Sequence, residues 1–147
     1  MGINYDAVGF ETNETVHHVD RVSIKWFARA MGDANPIYYD LEAAKREGFR
    51  DIPAPPTFST TFRDEEDARL RERVGFDFSK LVHGQQEYEM PGPLVAGDIL
   101  RIKTRVADIY KKEGKSGHMI LVVTETTARR PDGSTAFIGR STVVQRP

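Results

Sequence analysis

The chain has 147 residues, with 21 basic and 22 acidic side chains and a formal net charge of −1. Charges of both signs are mixed along it, which excludes a surface built for nucleic acid or for an anionic membrane; the length predicts one domain with a single core, spanning 1–147. With no cysteine, a disulfide framework, a thiolate nucleophile and a sulfur-ligated metal are excluded. No apolar stretch approaches membrane-spanning length, and Met1 to Thr15 lacks a basic region followed by an apolar run, so a cytoplasmic location is expected.

In chain order, Val16 to Val19 is predicted as a short first strand. Ser23 is the expected N-cap of a helix carrying Ile24, Trp26, Phe27, Ala30 and Met31, which Gly32 ends. Leu41 to Glu47 reads as a second helix stopped by Gly48, and Thr57 to Val74 as a longer third one. Pro53, Pro55 and Pro56 mark its approach, because proline is tolerated in a first helical turn and not deeper. Beyond Leu81 the period falls to two. Glu87 to Met90, Ile99 to Tyr110, Met119 to Ala128 and Thr135 to Val144 are strand candidates rich in β-branched residues. Pro131-Asp132-Gly133 is a turn signal, since proline presets one backbone angle and glycine accepts a positive one. A helical half followed by an antiparallel meander gives an α+β class.

Between the first two helices, residues 32 to 40 read Gly-Asp-Ala-Asn-Pro-Ile-Tyr-Tyr-Asp. Asp33 and Asn35 fit two roles: turn residues whose side chains bond nearby backbone, or polar groups of a site. Tyr38 and Tyr39 fit core or interface aromatics as well as ligand contacts. His17 and His18, adjacent in an extended segment, face opposite sides and cannot chelate one ion; no metal site or cofactor is expected. His83 beside Gly84 is read as a structural or dimer-edge residue. The run from Arg63 to Arg73 pairs opposite charges four apart, such as Glu65 with Arg69 and Asp67 with Arg71, as a solvated helix face does. Its rival reading gives Arg63, Arg69 and Arg73 to a nucleotide phosphate or an acidic carrier protein.

Several motifs together resemble one family: Phe27 to Asp33 leading into Asn35-Pro36, Ala43-Ala44, Gly48-Phe49, Ala54-Pro55-Pro56-Thr57-Phe58, His83 to Tyr88, Pro93 and Gly97-Asp98. They resemble the MaoC-like (R)-specific enoyl-CoA hydratases and 3-hydroxyacyl dehydratases. The likeness is to the FAS1-like or MaoC N-terminal branch, and to the subunits of heterodimeric (3R)-hydroxyacyl-ACP dehydratases that lack the catalytic pair. The resemblance covers about Val19 to Val144 and implies a hot dog fold, an antiparallel sheet wrapped around a central helix. It implies an acyl-CoA or acyl-carrier-protein (ACP) thioester as ligand, and a homodimer or a heterodimer with a His-bearing MaoC-like subunit.

The family pattern Gly-Asp-x-Asn-Pro-x-His places Asp33 at the base position and Tyr38 where histidine stands. Water addition to an enoyl thioester needs a base, an acid and N–H donors on the thioester oxygen. A tyrosine of pKa about 10 is ionised about one part in a thousand at pH 7, adding about 4 kcal/mol to a barrier that uses it as base. The family's oxyanion-donating glycine, which opens the central helix, falls on Pro56, which has no N–H; a slip of one residue puts Thr57 there instead. Loss of such a donor costs about a hundredfold in rate. Asn35, Pro56, Thr57 and Phe58 are the expected substrate contacts. The reading that follows is an acyl-thioester-binding, catalytically reduced subunit. The alternatives are a self-sufficient hydratase or dehydratase using Asp33, and an acyl-CoA thioesterase.

Overall fold

The computed structural model describes residues 2–147. The first strand, β1 (Thr15–His18), is followed by α1 (Arg21–Met31) and the short α2 (Leu41–Arg46). After a one-turn 3-10 segment, Phe58–Thr61, comes α3 (Glu65–Val74). Four strands complete the chain: β2 (Leu81–Glu89), β3 (Ile99–Gly114), β4 (Gly117–Arg129) and β5 (Thr135–Gln145). All pairings are antiparallel and the sheet order is β1-β3-β4-β5-β2. The fold is α+β and of the hot dog type.

Local chemistry sets the helix ends. Asp20, not Ser23, caps α1: its carboxylate accepts from the Ser23 N–H at 2.8 Å and from the Ser23 hydroxyl at 2.6 Å. An ionised carboxylate with an extended backbone outcompetes a hydroxyl three residues on, which becomes its donor. Gly32 ends the helix with φ 73°, and Asp40 caps α2 through the Glu42 N–H at 3.0 Å.

The third helix departs most from expectation. The predicted span from Thr57 to Val74 is interrupted at residues 62–64, so the helical part over the sheet is the ten-residue α3. Asp64 causes the break. Its backbone is extended (φ −154°, ψ −170°), and with Asp67 it forms a reciprocal capping box. The charge pairing also differs: Arg63 meets Asp67 at 3.5 Å and Arg69 meets Glu66 at 3.3 Å. Glu66 is further fixed by the Asn13 N–H at 2.7 Å.

The strands run longer than the alternation predicts. β2 starts six residues before Glu87 because it pairs with β5 on one side only and is exposed along most of its length. A bulge at Gly84 interrupts its register. A side chain there would place Cβ 2.9 Å from Val144 Cγ2 and 3.1 Å from the Thr142 carbonyl oxygen, so this close approach requires glycine. The β4–β5 turn is as read: Gly133 takes φ 85° and donates to Arg130 O at 2.9 Å.

Two apolar clusters hold the layers together. One joins α1, α2 and the 3-10 turn to the sheet around Phe58, which meets Phe27 and Phe62 edge-on at 5.6 Å each. The other packs Leu70 and Val74 of α3 on Val106, Ile109 and Val122. Asp98, 4% exposed, ties the loop before β3 to its surroundings: it accepts from the Val95 N–H at 3.0 Å and pairs with Arg50 and Arg130.

Candidate functional site

The left-handed turn at Gly32 delivers Asp33 directly below α1, where the Asp33 N–H donates to Ala28 O at 2.9 Å. Asp33 Oδ1 accepts from the Asn35 N–H at 3.0 Å, and Asn35 Oδ1 accepts from the Ile37 N–H at 3.2 Å. Both side chains therefore do the turn work foreseen as the alternative to a site. Tyr39 donates its hydroxyl to the Asp33 carbonyl and pins the segment from the other side. The loop is a chain of local bonds, which fixes the Asp33 carboxylate in place.

Tyr38 is half-buried against the apolar cluster of Phe58. Burial pushes its phenol above the ordinary tyrosine value, and the charge of Asp33 pushes it further. Both effects disfavour the phenolate, so at neutral pH Tyr38 is a neutral hydroxyl able to donate or accept a hydrogen bond.

The approach to the 3-10 turn carries the remaining expected contacts. Pro56 and Thr57 are exposed. Thr57 Oγ1 lies 3.9 Å from Met31 Sδ, which brings this segment against the end of α1. The Phe58 N–H is committed to Pro55 O at 2.9 Å, and Pro56 has none. Of the three residues, Thr57 thus holds the N–H with no backbone acceptor among the described residues. Phe58 is 1% exposed and supports the turn from within the core.

A cavity of about 700 Å³ opens between α3, the 3-10 turn and one face of the sheet. Thr57 lines it; Asp33, Asn35 and Tyr38 do not. Asn35 instead borders a second space of about 590 Å³, with Ile37, Arg46 and Phe49. The large cavity has a polar floor of Thr104, Thr124, Thr126 and Ser141, with Thr104 and Thr126 hydrogen-bonded at 2.8 Å. Sequence reasoning missed this floor; its one local signal was Thr124 and Thr126, two apart on β4 and so on the same sheet face.

Sequence reasoning also missed a polar pair on the wall of that cavity. His17 points inward and His18 outward, as alternation requires. His17 Nε2 meets Asp64 Oδ2 at 2.8 Å and Thr15 Oγ1 at 3.2 Å. Burial pushes the Asp64 carboxyl up, but hydrogen bonds from Thr15, His17 and the Glu66 N–H outweigh it and hold it below the usual carboxylate value. The signal was the N-cap character of Asp64 before an acidic first turn. His83, on β2, borders the same cavity. Among the described residues no three His, Asp or Glu side chains gather as a metal site requires, and no helix is long and apolar enough to cross a membrane.

The five-stranded antiparallel sheet with its helices is the hot dog fold, which solved hydratases and dehydratases share. The chain belongs to the family described as FAS1-like, dehydratase domain region, which matches residues 6–138. A UPF0336 protein of Parafrankia sp. (strain EAN1pec) is 35% identical over 99% of this chain and 100% of its own length. A MaoC-like dehydratase superposes with a TM-score of 0.84 and 26% identity over 95% of this chain, which spans 42% of that longer one. The HadBC (3R-hydroxyacyl-ACP dehydratase) complex of Mycobacterium tuberculosis gives a TM-score of 0.81 and 24% identity over 95% of this chain and 97% of the other, a likeness of fold.

Proposed function

We propose that this chain is the acyl-thioester-binding subunit of a (3R)-hydroxyacyl-CoA/ACP dehydratase or (R)-enoyl-CoA hydratase, cytoplasmic and built as one hot dog domain over 1–147. The observation that carries this reading is Tyr38. It stands where the family pattern has histidine, and burial together with Asp33 drives its phenol away from ionisation. A site of this kind binds and orients, but lacks the group that exchanges a proton near neutral pH. Pro56 points the same way, since it removes a backbone donor from the segment facing the thioester oxygen. Asp33 and Tyr38, with Asn35, Pro56, Thr57 and Phe58, are the residues this reading assigns to the ligand. A His-bearing MaoC-like partner supplies the acid–base pair, and β2, the longer of the two edge strands, offers it a place to pair.

Hydration of crotonyl-CoA by the purified protein, followed at the enoyl-thioester absorbance, tests the reading. The expected result is binding without turnover, with turnover restored by a co-expressed His-bearing subunit. Turnover by the protein alone that disappears in Asp33→Asn would establish the self-sufficient enzyme instead. Release of free CoA thiol would establish a thioesterase.

A further inference from the structure

The outward face of α1 is unlike the rest of the surface. Between Arg21 and Met31 the sequence carries Arg21, Lys25 and Arg29 and no acidic residue, in a chain whose net charge is −1. Arg21 is paired with Asp51 at 2.9 Å, whereas Lys25 and Arg29 have no carboxylate partner among the described residues. Two apolar side chains stand among these charges in the open: Val22 is 63% exposed and Trp26 61%. The Arg29 guanidinium sits over the Trp26 ring at 5.3 Å from its centroid, holding both side chains up on one face. Val22, Lys25, Trp26 and Arg29 follow the spacing that gathers residues on one side of a helix. Ile24 and Ala28, on the other side, are fully buried, so the core is satisfied without Trp26.

Tryptophan and arginine are among the residue types enriched at the energetic centres of interfaces, and here they stand together in the open. The charge selects the partner. Two copies of this chain meeting through this face about a twofold axis would set the same cationic helix against itself. An acidic surface with an apolar ridge complements it, and attraction between the two steers encounter. The C-terminal end of the same helix lies beside the site: Met31, on its inner side, has Sδ 3.9 Å from Thr57 Oγ1, and Asp33 follows two residues later. We infer that the outward face of α1 docks an acidic carrier protein bearing the acyl thioester, and so favours protein-borne acyl groups over CoA. This rests on the thioester-binding reading given above.

Trp26 is the only tryptophan of the chain, so its fluorescence reports on this face directly. The full-length protein is titrated separately with crotonyl-loaded acyl-carrier protein and with crotonyl-CoA, as wild type and as Lys25→Glu/Arg29→Glu. The expected result is a Trp26 emission change with the loaded carrier, and an affinity about tenfold lower in the double variant. Raising NaCl from about 50 to about 300 mM weakens the wild-type complex in the same sense. Crotonyl-CoA binds both forms alike. Equal carrier affinity in the two forms, or an unmoved Trp26 signal, overturns the docking assignment. Failure of the carrier alone to bind overturns docking and leaves the thioester site standing; failure of both ligands removes the thioester reading with it. A changed sedimentation coefficient in the double variant would give the face to a subunit contact and also overturn the proposal. Both positions are exposed, and unchanged circular dichroism verifies the fold.

Discussion

Under the proposed reading, Asp33 and Tyr38 together decide what the site can do with a proton. A neutral phenol whose ionisation is pushed upward gives Asp33 no partner that shuttles charge at physiological pH. Tyr38→His is expected to raise crotonyl-CoA hydration at least about tenfold, because the imidazole removes much of the ~4 kcal/mol cost of a tyrosine base. Adding Asp33→Asn to that variant should abolish the gain. Asp64 makes a prediction of another kind. Its carboxyl lies lower in the folded chain than in the unfolded one, so the stability it brings is complete above the unfolded value near 3.9 and is lost as pH falls through the lower folded value. Asp64→Ala should cost about 1 kcal/mol at neutral pH through the lost cap. In urea titrations at descending pH the variant should show a shallower acid decline than wild type.

At the scale of elements, Gly84 tests the edge strand. Gly84→Ala drives a methyl against Val144 and the Thr142 carbonyl and should destabilise by about 1–3 kcal/mol, read as a lower urea midpoint with an unchanged slope. Much at this scale was legible in the sequence. The strands announced themselves by alternation from Ile99 onward, α1 by its apolar stripe and Gly32, and the last hairpin by Pro131-Asp132-Gly133. Much of what escaped depends on contacts with residues far along the chain. The break before α3 depends on Asp64, held by His17 across 47 residues, and the early start of β2 on pairing with β5. The site divided the same way. The Asp33 and Asn35 turn is local and was readable; the cavity between α3 and the sheet arises from packing and was not.

At the scale of the whole molecule, the sheet ends in two unequal edges. β1 has four residues and β2 nine, the latter exposed along most of its length. An edge of that length is a template for another strand. The outward-pointing backbone amides of β2, which alternate with those bonded to β5, are therefore expected to exchange with deuterium quickly in the isolated chain. In the complex with a His-bearing subunit they should exchange at least about tenfold more slowly, while β4, paired on both sides, is slow throughout. Equal β2 exchange in both states would move the partner to another face.

The interruption at residues 62–64 has a mechanical side. A continuous helix from Thr57 to Val74 would be one lever, and any repacking beneath its far end would tilt the near end beside α1. Broken and recapped, the chain becomes two independently anchored pieces, the first seated on Phe58 and the second on Leu70 and Val74. A change of packing under α3 then need not be carried as a rigid tilt to the Thr57 side, because the extended backbone at Asp64 separates the two pieces.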